Sequence, residues 1–471
     1  MYIKTAERCR SNVALVASDS SKISYQQLLQ RAGKIAKNII SRRLAFLVCD
    51  IDIDSIVAYT SLMMANAVVL LVNSNVTDRR LTALAQLYKP SYWFSHRART
   101  IKAISQNFLA ESGDYCLTRT IYREDSNIHD DLFLLLSTSG TTGNPKLVRL
   151  SERNVVSNSD AITDYLQIDE SDRAIATLPM SYSYGLSVVH THLSRGASII
   201  IPESSIVEKQ FWSLLKEEKA TNLSGVPYVY ETLDKIGFYR QTFPDLACLT
   251  QAGGGLEAKI ASKMVKHCQA TGKRYFTMYG QTEASPRMSF VPWDSALKKI
   301  GSIGRPIAGG RFWLEGEDED VLELPNQVGE LLYAGDNVML GYAERREDLS
   351  KGDECRGLLR TGDLARRDDD GFYYIVGRKN RIAKILGLRL ELDELEIELR
   401  NINIQAACCE VNGRLKAFIL QSDAKDVVLQ HLGKVTGLNK LLIDVTVVEH
   451  WPMTTSGKIA YSELSELGRL L

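Results

Sequence analysis

Short apolar runs rich in β-branched residues alternate with longer segments of helical period over most of the chain up to about Val291. "RLAFLVCDI" (Arg43 to Ile51) and "AVVLLV" (Ala67 to Val72) each read as a buried strand beside a helix. "PSYWFS", "ASIIIP" and "ATNLSGVP" repeat the pattern, near amphipathic segments such as "EKQFWSLLKEE". This alternation predicts α/β layers with largely parallel sheets. The stretch Ser55 to Asn75, "SIVAYTSLMMANAVVLLVNSN", is almost continuously apolar. It has the length of a membrane span, about 20 residues. Asn66 interrupts it, however, and its β-branched second half predicts a helix followed by a buried strand.

After Val291 the texture changes to acidic turns between short alternating strands, as in "FWLEGEDEDVLELPNQVGELLYAGD", which predicts a small β-rich subdomain. "RDDDGFYYIVGRKNR" (Arg367 to Arg381) places Asp-Gly before alternating aromatics, a hairpin signal, and then turns basic. Strands "KAFIL" and "LIDVTVVE" and the helix "LDELEIELRNI" follow. The expected organisation is a large N-terminal domain over 1–377, a hinge at 378–381 and a small α+β C-terminal domain over 382–471.

A chain of 471 residues exceeds one hydrophobic core. Lysine plus arginine and aspartate plus glutamate both number 57, so no net charge draws the chain to nucleic acid or an anionic membrane. The eight cysteines show no C-x-x-C spacing, and the N-terminus lacks a sustained apolar h-region. Both features predict a cytoplasmic protein with reduced thiols and no membrane insertion. His190 and His192, in "HTH", have no third ligand nearby in sequence and read as packing or pocket residues.

The candidate chemistry begins at "STSGTTGNPK", Ser137 to Lys146. Gly140 and Gly143 let the backbone approach an anion, successive N–H groups can form a nest, and Lys146 adds a point charge. Pro145 precedes the lysine and Leu147 replaces the Ser/Thr that would hold magnesium, so this is not the loop of a P-loop kinase or GTPase.

In order along the chain follow "LPMSYSYGLS", "AGGGL", "YGQTEAS", "GELLYAGDNVMLGY", "RTGDLARRDDDGFYYIVGRKNRIAKILGLR" and "TTSGKI". With the first loop, this series resembles the adenylate-forming superfamily of acyl-CoA synthetases, luciferases and peptide-synthetase adenylation domains. The resemblance implies two steps. A carboxylate attacks the α-phosphorus of ATP and releases pyrophosphate; a thiol then displaces AMP from the acyl-adenylate. It implies that Thr138, Ser139, Gly140, Thr141, Thr142, Gly143 and Lys146 wrap the β- and γ-phosphates. Thr282 contacts the α-phosphate and Glu283 ligates Mg²⁺, whose hardness suits a carboxylate. Gly253, Gly254, Gly255 and Tyr279, followed by Gly280 and Gln281, form the adenine slot. Asp363 accepts the ribose hydroxyls with support from Arg378, and Arg389 contacts the nucleotide phosphate. Lys458 bridges the attacking carboxylate and the α-phosphate. The family's hinge Asp or Lys is replaced by Asn380, which puts domain alternation and the thioester step in question.

Ser181 to Ser187 holds no acid to pair with an α-ammonium; Tyr182, Tyr184 and Gly185 instead offer aromatic walls and space. The expected substrate is therefore a small or medium carboxylic acid, with CoA as acceptor. With no phosphopantetheine-bearing segment after "SGKIAYSELSELGRLL", the expectation is a stand-alone enzyme. The alternatives are transfer to phosphopantetheine on a separate acyl carrier protein, and a non-catalytic nucleotide-binding homologue.

Overall fold

The computed structural model describes residues 2–122, 127–137, 146–385, 388–454 and 459–470; at 380, 382, 384, 389 and 391 it describes the backbone alone. The chain divides into two compact units. The first takes in most of the chain up to Arg311 together with Ala334–Leu359, and the second takes in Phe312–Tyr333 and Arg360–Leu471.

The first unit holds two large sheets. In the eight-stranded sheet, Leu44–Cys49 lies between Val68–Asn73 and Tyr92–His96, all parallel. Its strands are apolar on both faces, as a sheet covered on both sides requires. Ala45, Leu47, Val69 and Leu71 enter one core, whereas Leu44, Phe46, Val68 and Leu70 enter the other. The first core also takes Leu15 and Ile199 from the nine-stranded sheet, Ile56 and Leu62 from helix Ile53–Met64, and Leu186 and Val189 from helix Ser183–Arg195. Helices thus fill the space between the sheets. The apolar Ser55 to Asn75 stretch splits as expected into that first helix and the strand Val68–Asn73, with Asn66 left-handed at φ 53° between them. Among the described residues, no helix is long and apolar enough to cross a membrane.

In the nine-stranded sheet, Ser198–Ile200, Arg173–Ile175, Asn222–Gly225, Cys248–Gln251 and Arg274–Gly280 are neighbours in that order and parallel. Antiparallel Arg287–Val291 follows at the edge side, with Gly280 opposite Arg287.

The second unit contains a four-stranded sheet of Arg311–Glu315, Val328–Ala334, Leu358–Arg367 and Tyr373–Arg378. The last two form the expected hairpin: Gly371 takes φ 80°, and Asp368 Oδ1 accepts the Phe372 N–H at 2.8 Å. Toward the C-terminus, strands Ala406–Val411, Arg414–Ile419 and Ile443–Val447 pack on helices Leu392–Asn401 and Lys425–Thr436 through Leu395, Leu399, Ile419, Val428 and Leu432.

Arg381, just after Asn380, is anchored in this region. It pairs with Asp393 and Glu396 at 2.5 Å each, and its guanidinium carbon lies 3.7 Å from the Tyr461 ring centre. Tyr461 in turn donates to Glu396 Oε2 at 2.8 Å. Opposite charges and a ring leave no buried charge uncompensated in this cluster.

Candidate active site

Strands Cys248–Gln251 and Arg274–Gly280 are parallel neighbours, and each hands its candidate residues to the loop after its C-terminal end. The two loops therefore lie side by side at the C-terminal ends of neighbouring parallel strands. Gly253 has φ 88°, and a Cβ there would stand 2.7 Å from the Tyr182 hydroxyl. Backbone and ring both demand glycine. A Cβ on Gly255 would meet nothing within 4 Å, so the loop shows bare backbone to open space, a surface that suits a flat ring. The loop is tied back by Gln251 Nε2, which donates to the Gly254 carbonyl at 2.8 Å.

The second loop doubles back sharply: a Cβ on Gly280 would lie 1.8 Å from the Pro286 carbonyl oxygen. Gln281 donates to the Tyr279 hydroxyl at 3.4 Å and precedes the short turn Thr282–Ala284. Thr282 Oγ1 is 3.2 Å from Ser183 Oγ. The Glu283 carbonyl accepts from Met339 N–H at 2.8 Å, and its Oε1 accepts from the Tyr342 hydroxyl at 2.8 Å. Burial, with Glu283 next, pushes the Tyr342 phenol far above its ordinary value, so it stays a donor. Asn337 staples the turn: its Nδ2 donates to the carbonyls of Ala284 at 2.7 Å and Arg287 at 2.8 Å, and its own carbonyl accepts from Ser285 Oγ at 2.8 Å.

Strand pairing brings Lys146 to the same place. Gly341–Ala343 runs antiparallel to Leu147–Ser151, with Tyr342 opposite Val148. Lys146 Nζ consequently lies 2.7 Å from Glu344 Oε1 and 5.7 Å from the Tyr342 ring centre. Both partners of this ion pair are more than half exposed, so it is worth under about 1 kcal/mol and yields readily to a phosphate.

Tyr182 caps the start of helix Ser183–Arg195. Tyr184 is buried, and its hydroxyl contacts the Thr250 carbonyl at 2.9 Å and Thr250 Oγ1 at 2.8 Å. A Cβ on Gly185 would strike the Pro179 carbonyl at 2.3 Å, so helix and loop touch there. Gly185, Thr177, Leu178, Val188 and Ser224 line a small, mostly apolar cavity. His190 and His192 are packing residues: His190 Nε2 bonds the Tyr59 hydroxyl at 3.0 Å, and His192 Nε2 meets Asn222 Nδ2 at 2.9 Å.

In the second unit Asp363 and Arg378 are cross-strand partners, with Oδ1 and Nε 2.9 Å apart; Asp363 is buried and Arg378 half exposed. Thr138, Ser139, Gly140, Thr141, Thr142, Gly143 and Lys458 lie outside the described residues, as do the side chains of Asn380 and Arg389. Arg287 and Glu344 join the site from outside the quoted motifs, and Ser183, Asn337 and Tyr342 from within motifs that gave them no role. Their roles come from strand pairing and chain reversal, which no local spacing shows.

The residues present fit a magnesium ion. Glu283 Oε2 has no partner among the described residues, and a hard cation favours oxygen. Among the described residues no group of three or more His, Cys, Asp or Glu forms a cage.

An α/β fold that carries the bare Gly253–Gly255 loop, the Thr282–Glu283 turn and Lys146 beside Tyr342 is compatible with a nucleotide-binding enzyme. A family model described as AMP-binding enzyme matches residues 3–343, and the chain belongs to that family, among the adenylate-forming enzymes. It is similar to 2-succinylbenzoate–CoA ligase of Oceanobacillus iheyensis, 26% identical over 98% of each chain. It is 25% identical to bacitracin synthase 2 of Bacillus licheniformis, over 86% of this chain and 16% of that protein. Its fold matches O-succinylbenzoate coenzyme A synthetase from Bacillus subtilis in complex with ATP and magnesium ion, with TM-score 0.78, 19% identity and 98% of both chains covered.

Proposed function

We infer that the protein is an AMP-forming acid–thiol ligase that converts a small carboxylic acid to its acyl-adenylate and then to its CoA thioester. The observation that supports this most is the Thr282–Glu283 turn, held by Asn337 and Tyr342 beside the open backbone of Gly253 to Gly255. Attack of a carboxylate on a phosphate brings two anions together, so the reaction needs fixed positive charge, hydrogen-bond donors and alignment.

In the first step a carboxylate oxygen bonds to the α-phosphorus of ATP and the bond to pyrophosphate breaks. Thr138 to Gly143 and Lys146 receive the β- and γ-phosphates, and Lys146 leaves Glu344 to do so. Thr282 donates to the α-phosphate. When bound on Glu283, magnesium neutralises phosphate charge. The adenine lies on Gly253 to Gly255 and Tyr279, while Asp363 and Arg378 receive the ribose. Lys458 and Arg389 supply further charge to the reacting carboxylate and phosphate. In the second step a thiolate attacks the acyl carbonyl and AMP leaves, with the domains over 1–377 and 382–471 re-oriented about Asn380.

Similarity to the bacitracin synthase favours one second reading, transfer to phosphopantetheine on a separate carrier protein. The cytoplasm is the proposed compartment, in keeping with cysteines that are all unpaired in the structure. Acid-dependent pyrophosphate exchange, followed by thioester formation with CoA or with a loaded carrier, tests both readings. Exchange that fails across a broad acid panel sinks the enzyme reading, and exchange without any thioester sinks the second step.

A further inference from the structure

Buried cations in this protein are matched by oxygen. Arg149, fully buried, bonds Glu354 and the carbonyls of Leu340, Tyr342, Lys351 and Gly352. Lys273 donates to the carbonyls of Phe243 and Leu246, and Lys416 to that of Gly468. Arg287 breaks the rule. It is only 3% exposed, yet among the described residues its guanidinium has no carboxylate or carbonyl partner. Nε reaches the Met278 sulfur at 3.4 Å, the Tyr165 phenol bonds it, and its carbon lies 3.9 Å from the Tyr184 ring centre. Burial raises the phenols of Tyr165, Tyr182 and Tyr184, so these neighbours are neutral and supply no countercharge.

A cation–π contact gives about 2 kcal/mol when desolvated. Removing an ion from water costs several kcal/mol even after relaxation. The ring alone therefore does not balance the burial, and the guanidinium is chemically suited to a bound anion. Its place is next to the reaction. Arg287 is the register partner of Gly280, immediately beside the Gln281 to Ala284 turn. The Tyr184 ring beneath it meets the Tyr182 ring edge-on at 6.4 Å, and the Tyr182 hydroxyl borders Gly253. Ser183, between the two tyrosines in sequence, contacts Thr282.

We propose that Arg287 binds a second anionic oxygen group of the substrate, so that the acid activated here carries a carboxylate or sulfonate at its far end as well as the carboxylate that reacts. The planar guanidinium fork matches such a group bidentately. The inference rests on the acid-activation reading above and names its substrate class.

Acid-dependent pyrophosphate exchange by the full-length protein is measured with matched short-chain acids: the dicarboxylate, its monoamide, the ω-sulfonate, and the monocarboxylate of equal length. The dicarboxylate or the sulfonate is expected to exceed the monoamide and monocarboxylate in kcat/KM by about 100-fold, as for a buried charge pair. Arg287→Met is expected to erase most of that ratio, raising KM for the doubly charged acid far more than KM for the monoamide or for ATP. Arg287→Lys is expected to retain part of the preference, because a point charge replaces the fork. Equal rates for mono- and doubly charged acids in the unaltered protein overturn the proposal whether or not the variants fold. An equal fall for both acids in a folded Arg287→Met protein assigns the residue to packing and also overturns it. If no acid of any class supports exchange, acid activation itself fails and the proposal falls with it.

Discussion

The Tyr342 hydroxyl donates to Glu283 Oε1 at 2.8 Å, joining two residues far apart in sequence beside the Met339 N–H bond to the Glu283 carbonyl. The bond fixes one carboxylate oxygen and leaves the other for a cation. Tyr342→Phe is expected to lower acid-dependent pyrophosphate exchange about 10-fold, the size of one hydrogen bond to a charged group. The magnesium concentration for half-maximal rate should rise with it. A titration of exchange against magnesium checks this; an unchanged titration separates Tyr342 from cation binding.

Asn337 holds three groups of the Gln281 to Arg287 reversal. Asn337→Leu leaves the Ala284 carbonyl without that donor, at about 1–3 kcal/mol for one unsatisfied group, while the Arg287 carbonyl keeps its bond from Asn158 Nδ2. Urea unfolding should shift accordingly, and exchange should fall further than the loss of folded protein explains, because Thr282 and Glu283 lose their placement. A shift within the error of the measurement contradicts the stapling role.

Gly280→Ala introduces a Cβ 1.8 Å from the backbone oxygen of Pro286. Backbone on both sides of the clash leaves nothing flexible to yield, so the turn must open. Exchange is expected to fall below detection while far-ultraviolet circular dichroism stays near that of the unaltered protein. Gly255→Ala meets no atom in the protein, so its effect is confined to the nucleotide, read as a raised KM for ATP.

Stability should decline in mild acid. His190 is fully buried and neutral, its pKa lowered by desolvation to about 3. The unfolded chain binds this proton near the ordinary histidine value of about 6.5, so acid favours the unfolded state. The contribution is complete above that value and is lost as pH falls toward the folded one, about 2 kcal/mol of it by pH ~5. Burial lowers His192 as well and adds in the same direction. Thermal midpoints across that range test this, with His190→Gln flattening the slope. A slope unaltered by that substitution removes His190 as its cause.

Much of the scaffold was legible in the sequence, since local signals decide it. The runs at Arg43 to Ile51 and Ala67 to Val72 became adjacent parallel strands because apolar residues on both faces fit only a covered sheet. Asp-Gly in "RDDDGFYY" became the hairpin turn because Gly371 needs positive φ. The triple glycine follows the strand Cys248–Gln251, and "YGQTE" spans the end of the strand Arg274–Gly280 and the turn after it. What surrounds them was not legible. Tyr342 and Glu344 reach Lys146 only through the pairing of Gly341–Ala343 with Leu147–Ser151, a contact no local window contains. Tyr184 looks like a pocket wall in sequence, but its place in the core depends on Thr250 from another strand. Arg287 reads as one charge after a proline; its isolation from carboxylates exists only once the sheet has folded over it.

The central claim is that a carboxylate oxygen attacks the α-phosphorus. The most direct test uses an activated acid whose carboxylate carries heavy oxygen, turned over with ATP, magnesium and CoA. AMP bearing one heavy oxygen on its phosphate is expected, alongside unlabelled pyrophosphate and the CoA thioester. Heavy oxygen in inorganic phosphate together with ADP, or unlabelled AMP, would contradict it.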